Sequence, residues 1–525
     1  MGVFRGDSYI KKGKTEVKIK NNHYDVVIIG GGVVGCAIAR ELSKYKVSVA
    51  VLEKEDDVSW GISCRNSGVV HTGFNNKPGT LMAQFCVEGN KSFAALCRQL
   101  DVPYKKIGKL VVAKKKEEIK ELQKLKQQGD TNGVDNLQII DLNEVKRLEP
   151  NIEGIAALYS PETAITSPYL LTIALAENAL DNGVSFFLNT QVKSITTLND
   201  SRFRIKTNKR EFTSSYVVNS AGLYADKIAR MVGIKKYRLY PCRGEYHILD
   251  KNVSWLINHL VYPVPQAGAG GLGIHLTPTI DGNILVGPSD EYIKRKDNYS
   301  TTFKVMKMLS VEARKFLPLI SPGYIIRSYS GLRAKQAPSS EGGFWDFVIE
   351  ESDTVDNFIN LIGIESPGLT AAQPIAKRVV EIINKKERLS PNPNFNPSRK
   401  GILRFEEQDE ETKKALIKQD PDYGEIVCRC EKVTKKEILE ATNNPLGARS
   451  LISIKYRTRA MMGRCQGGYC LPRIIEILRE YFDLNPQEIL LKGDNSYLLT
   501  GYRSNEVSKP CRKKKLLSLE EGLLV

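Results

Sequence analysis

The first clear hydrophobic pattern is a strand-length run, His23-Tyr-Asp-Val-Val-Ile-Ile29, that passes straight into Gly30-Gly-Gly32-Val-Val-Gly35 and then Cys36-Ala-Ile-Ala-Arg-Glu-Leu42. This order predicts a strand, a tight turn and a helix. At the G-x-G-x-x-G spacing, Gly30 allows the turn, Gly32 lets a pyrophosphate approach the backbone and Gly35 permits close helix–strand packing, while the helix N-terminus attracts phosphate charge. A second run, Val47-Ser-Val-Ala-Val-Leu52, predicts the next strand and ends at Glu53, an acid placed to accept a hydrogen bond from a ribose 2′-hydroxyl. Together these features predict binding of an adenine dinucleotide.

Further along, Lys114 to Gln128 is Lys/Glu-rich with Ile119, Leu122 and Leu125 at helical spacing, which predicts a packed surface helix. The pattern breaks at Ser390-Pro-Asn-Pro-Asn-Phe-Asn-Pro-Ser398, where three prolines exclude a helix interior and mark the best domain boundary. Beyond it, Lys435 to Thr442 and Pro472 to Phe482 read as helices. The expected organisation is a basic disordered arm over 1–22, a main domain over 23–386, a linker over 387–418, a small domain over 419–503 and a tail over 504–525.

At 525 residues with 41% apolar side chains, the chain can bury ample cores. Its longest apolar stretch, Val26 to Ala39, is interrupted by glycine and shorter than the roughly 20 residues of a membrane helix, so no spanning segment is expected. The formal charge of +17 suits anionic substrates. Because Lys and Arg are scattered rather than clustered, nucleic-acid binding is not expected, while peripheral contact with an anionic membrane surface stays open.

The other chemical signal is four cysteines: Cys428-Arg-Cys430, a gap over 431–464, then Cys465-Gln-Gly-Gly-Tyr-Cys470. Close Cys pairs separated by a helix-sized segment are how a small fold gathers four thiolates at a metal centre, zinc and iron–sulfur both being served by such ligands. A Cys428–Cys430 disulfide is disfavoured by spacing. Cys36, Cys64, Cys86, Cys97 and Cys242 read as packing residues, and Cys511 sits in the basic tail without an evident role.

The order of motifs over most of 24–386 resembles the D-amino-acid-oxidase-like flavoprotein superfamily. The matching segments are the glycine turn with Glu53, Asn66-Ser-Gly-Val-Val-His71-Thr-Gly73, Val217-Val-Asn-Ser-Ala-Gly-Leu-Tyr-Ala-Asp226, Ser330-Gly-Leu-Arg333 and Gly363-Ile-Glu-Ser-Pro-Gly-Leu-Thr-Ala-Ala372. The C-terminal cysteines resemble the bacterioferritin-associated-ferredoxin-like module. The resemblance implies an α/β fold, with a Rossmann-type FAD-binding domain, a mixed-sheet substrate domain and a small helical iron–sulfur domain. FAD and a 2Fe-2S cluster held by Cys428, Cys430, Cys465 and Cys470 are the implied cofactors.

It also assigns roles. Gly30, Gly32, Gly35, Glu53, Asn66, Ser67, Gly68, Val192, Ala221 and Gly222 would contact FAD, and the amides of Gly363, Gly368, Leu369 and Thr370 would point at the flavin's pyrimidine end. His71 is the proton-handling residue and Arg333 the anion clamp, a guanidinium offering a fixed fork to carboxylate or phosphate. Arg243, Tyr246 and His275 are secondary pocket residues. Thr458-Arg-Ala-Met-Met-Gly-Arg-Cys-Gln-Gly-Gly-Tyr-Cys470 resembles anaerobic-type glycerol-3-phosphate dehydrogenases, with Met461 where glycine is usual. By contrast, Lys77 to Asn90, Arg243-Gly-Glu-Tyr246 and Asn258 to Pro265 resemble L-2-hydroxyglutarate dehydrogenases. The expected function is oxidation of sn-glycerol 3-phosphate, with electrons passed through the cluster to a second oxidoreductase or acceptor subunit. L-2-hydroxyglutarate is the alternative substrate, a non-catalytic electron-relay subunit the alternative role, and the cytoplasm or the inner face of its membrane the expected location.

Overall fold

The computed structural model describes residues 22–265, 273–493 and 495–501. The expected arm, Asn22 apart, and the tail with Cys511 lie outside the described residues. The strand His23–Ile29 pairs in parallel with Val49–Leu52 on one side and Glu211–Asn219 on the other, at the centre of an eight-stranded sheet. This second strand begins two residues later than expected. Its four residues and Val26–Ile29 are nearly all sealed from solvent, as a parallel sheet covered on both faces requires. Helices Val33–Leu42, Pro168–Asp181, Leu81–Leu100 and Gly368–Glu387 pack over one face in a single apolar core.

A nine-stranded sheet forms the second layer and is mixed. Its longest ladder joins Tyr240–Leu249 to Ile325–Lys335 in antiparallel, and Leu260–Pro263 runs parallel to Lys109–Ala113. The charged helix forms over Glu118–Thr131, shifted toward the C-terminus of the expected span, and buries Leu122.

The stretch expected to be a linker is a strap. Asn178 Nδ2 donates to the carbonyls of Asn396 and Ser398, Arg40 donates to Pro397, and Arg399 donates to Glu177 at 2.8 Å. It also contains a helix, Glu410–Gln419, capped by Asp409. The C-terminal domain then forms its own core around the short ladder Ile426–Cys428/Val433–Thr434 and the helices Lys435–Thr442, Leu451–Thr458 and Cys470–Phe482.

That domain is docked on the main body by buried charges. Arg457 Nη1 lies 2.5 Å from Asp57 Oδ2, both side chains being 2% exposed, and Arg457 Nε is 3.6 Å from Glu177, the acid that also holds the strap. Arg459 reaches Asp281 at 2.6 Å, Glu431 at 2.8 Å and Asn283 at 3.2 Å. Tyr456 stacks on Tyr169 with ring centres 4.9 Å apart and leans on Trp60 at 5.9 Å. Removing one member of a buried pair strands the other, so Arg457→Ala is expected to cost about 3–5 kcal/mol. Urea unfolding would show this as a separate early transition of the C-terminal domain; a loss under about 1 kcal/mol, the range of surface pairs, would contradict the docking role.

Candidate functional site

Between the two sheets lies a cavity of about 1880 Å³, lined by both layers. A drug-sized ligand needs about 300–1,000 Å³, so this volume suits a dinucleotide together with a small substrate. One end is the glycine turn. Gly30 has φ +111°, and a Cβ there would meet Ser220 O at 2.6 Å; at Gly35 it would meet Gly30 O at 2.0 Å. These two glycines are demanded by packing. Gly32 differs, since a Cβ there would touch only Ser63 Oγ at 3.2 Å, and Gly32 lines the cavity. The helix it opens has no acid in its first turn, leaving its positive end available to an anion.

Glu53 also lines the cavity. Its Oε2 accepts from Gly31 N at 2.6 Å and Oε1 from Glu55 N at 2.9 Å; burial raises its pKa while those amides pull it down. Each oxygen keeps a second acceptor site for a ribose hydroxyl. Asn66, Ser67, Val192, Ala221, Gly222, Gly368 and Leu369 line the same space. Gly68, Gly363 and Thr370 stand behind the wall: Gly68 has φ +70°, Gly363 has φ +71° against the Gln336 amide, and Thr370 Oγ1 accepts from His71 N at 3.0 Å. The cradle thus fits FAD on its own geometry, with Thr370 holding the histidine backbone rather than facing the cavity.

His71 lies at the cavity wall, and burial pushes its pKa well below the ordinary 6.5, with Lys109 and His275 adding to the effect. It is therefore unprotonated at neutral pH, the form in which a ring nitrogen can accept a hydrogen bond from a substrate hydroxyl. His275 stacks on Tyr262 at 3.7 Å and is held by Gly273 O; burial takes it down to about 3. Tyr246 faces the cavity and stacks on Tyr329 at 4.8 Å. Arg333 is also present, its Nη1 3.2 Å from Asp290 Oδ1 and its Nη2 donating to Ser289 O at 3.1 Å.

Arg243 is not part of this group. Successive strand residues face opposite sides, so while Gly244 and Tyr246 look into the cavity Arg243 points away, bonded to Glu291 at 2.6 Å and to Ser300. It is buried as a structural cation. Cys242 does more than pack, since its Sγ contacts both Asp290 and Arg333. Sequence reasoning also missed Lys109, buried between the rings of Phe74 and Tyr262 at 4.6 and 4.1 Å, where burial takes its pKa down to about 7. Glu365 was missed as well. Lys109 opens an apolar strand with no signal of its own, and Glu365 stands inside the Gly363–Ala372 motif, where only the backbone amides drew attention.

The four C-terminal cysteines meet as two thiol pairs, Cys428 with Cys470 and Cys430 with Cys465. These four thiols would hold a two-iron two-sulfur cluster, whose ligands are thiolates. The hydrogen bond from Cys470 draws Cys428 down to about 6, toward the thiolate that iron needs. Gly463 makes room for the second pair: a Cβ there would strike Cys430 Cβ at 2.3 Å. Met461, standing where glycine is usual, has φ +67°, a left-handed conformation costing about 1–2 kcal/mol in a residue with a side chain.

Comparison with known proteins agrees with this division. Residues 25–382 match the FAD dependent oxidoreductase family, and 426–480 match the BFD-like [2Fe-2S] binding domain. A glycerol 3-phosphate dehydrogenase from Caloramator mitchellensis is 43% identical over 487 residues, covering 92% of this chain and 100% of that protein. An L-2-hydroxyglutarate dehydrogenase from Indibacter alkaliphilus is 31% identical, covering 68% of this chain and 98% of its own. Among solved structures, the dithionite-reduced L-alpha-glycerophosphate oxidase of Mycoplasma pneumoniae with FAD bound superposes with a TM-score of 0.68 at 31% identity, covering 72% of this chain and 98% of that one.

The two glycines should separate under mutation. Gly32→Val is expected to leave a folded protein without flavin, because its side chain would fill space facing the cavity, whereas Gly35→Val should yield little folded protein. Circular dichroism and flavin released on denaturation would check both; full flavin retention in Gly32→Val would contradict the cradle.

Proposed function

The chain belongs to the FAD dependent oxidoreductase family and carries a BFD-like [2Fe-2S] binding domain, and from that premise we propose that it oxidises sn-glycerol 3-phosphate to dihydroxyacetone phosphate. The observation that carries this reading is the span of similarity: the glycerol 3-phosphate dehydrogenase relative matches along its whole length through both domains. The L-2-hydroxyglutarate dehydrogenase relative leaves 32% of this chain unmatched, 68% being covered. Electrons would pass on through the cluster to a second oxidoreductase or acceptor subunit, with Cys430 and Cys465 at the surface where such a partner could reach them. No disulfide joins the described cysteines. No helix among the described residues is long and apolar enough to cross a membrane.

FAD, which the Gly30–Gly35 turn and Glu53 would hold, would supply a two-electron acceptor for the C2 hydrogen. The residues of the chain do the rest. His71, unprotonated, takes the proton of the C2 hydroxyl, so that the C–O bond becomes a carbonyl as the hydride leaves. Arg333 holds the substrate's anionic group with paired N–H donors and sets which hydrogen faces the acceptor. Aromatic walls from Tyr246 and Tyr262 keep bulk water from the reacting centre.

Anaerobic mixing with substrate tests this directly. Glycerol 3-phosphate is expected to bleach the flavin of the purified holoprotein faster than L-2-hydroxyglutarate does. In Arg333→Ala the second-order rate of bleaching should fall by about 10²-fold or more, as loss of a charge-assisted clamp predicts, while flavin content is retained. Preference for L-2-hydroxyglutarate would replace the substrate; bleaching by neither would leave an electron-relay role.

A further inference from the structure

Glu365 lies in the loop Gly363–Gly368 that opens the helix beside the cavity, and its carboxyl lines that cavity at the Arg333 end. It is 5% exposed, and its Oε2 forms a buried ion pair with Lys335 Nζ at 3.3 Å but has no aligned hydrogen-bond donor among the described residues. Lys335 is anchored elsewhere, donating to Gly343 O at 2.9 Å and sitting 3.7 Å from the centre of the Phe344 ring. The charged groups around this corner come from three segments: Arg333 and Lys335 from the strand Ile325–Lys335, Asp290 from the turn before Glu291–Tyr292, and Glu365 itself. Tyr292 and Cys242 are the neutral titratable neighbours.

With both acids ionised, two anions balance two cations, and an entering anion finds no net positive charge. Arg333 in particular already faces Asp290 at 3.2 Å. Protonating one acid turns the corner into a receptor. Asp290 is 30% exposed in its side chain and is already paired with Arg333, whereas Glu365 is sealed and has an oxygen without an aligned hydrogen-bond donor.

We propose that Glu365 is a substrate-binding acid that takes up a proton as an anionic substrate binds at Arg333, donates a hydrogen bond to the substrate's anionic group and gives the proton back when product leaves. The proton comes from solvent and returns to it, so no electrons move in this step. The inference deepens the reading of the cavity as a site for an anionic alcohol. Burial, outweighing Lys335 and Arg333, already places the Glu365 pKa at about 7, so little work is needed to add the proton at neutral pH. A neighbouring anion raises it further, and linkage then requires that anion affinity fall as pH rises above 7.

Sulfate, which does not titrate in the range used, is a suitable probe: its binding to the holoprotein is followed from pH 6 to 9 through the flavin spectrum. For the native chain the dissociation constant is expected to rise about tenfold per pH unit above 7, the limit for one linked proton. Glu365→Gln, which copies the protonated acid in shape and neutrality, should bind with little dependence on pH. A second readout needs no variant: an indicator dye in weak buffer at pH 8 should report uptake of about one proton per sulfate bound. Equal pH profiles in both proteins, no proton uptake, or no sulfate binding by the native chain at pH 6 would overturn the proposal. Sulfate binding does not depend on turnover. A failure of glycerol 3-phosphate to bleach the flavin would therefore count against the substrate reading and not against Glu365.

Discussion

The buried contact of Arg457 with Asp57 and Glu177 is the constraint on which the rest of the molecule depends. Asp57 lies four residues beyond Glu53, in the loop that follows the second strand of the dinucleotide fold, and Glu177 lies on a helix packed against the same sheet. Through Arg399, Glu177 also fastens the strap, so one acid fixes both the route of the chain and the seat of the domain it leads to. Charges sealed this way are costly to separate, because a lone survivor would stay buried without a partner. The thiol pairs are thus held against the flavin-binding body instead of swinging on a tether. Trp60, on the cavity wall, touches Tyr456 of the cluster domain across that contact.

The parts legible in the sequence are those whose signal is local. The glycine turn, the two central strands and the helix Lys435–Thr442 follow from spacing and periodicity over a few residues. Leu451–Thr458 went unrecognised because Ile452-Ser-Ile-Lys-Tyr-Arg457 alternates apolar and polar, the period of a strand and not of a helix. The strap looked like a linker because prolines and asparagines carry no packing signal. Its order comes from Asn178 and Glu177, more than 200 residues earlier in the chain.

The site divides along the same line. His71 and Arg333 stand in recognisable motifs and reach the cavity, while Arg243, read from a motif, is turned away by the two-residue alternation of its strand. Glu365 gains its character from Lys335, Arg333 and Asp290, which meet it only after two sheets have packed. Met461 shows the reverse case. Its unusual identity in the sequence coincides with a left-handed backbone, and its buried side chain packs near Gly467, offsetting part of that strain.

The central claim is that one rigid chain joins substrate oxidation at the cavity to the thiolate centre of the docked domain. Anaerobic addition of glycerol 3-phosphate, followed by electron paramagnetic resonance of the iron centre, tests it most directly, with Cys465→Ser as the control. The account predicts a reduced-cluster signal that grows as the flavin bleaches, and in the variant bleaching with FAD retained but no such signal. Complete flavin bleaching in the native protein with its iron centre left oxidised, or stoichiometric zinc in place of iron in anaerobically prepared protein, would contradict it.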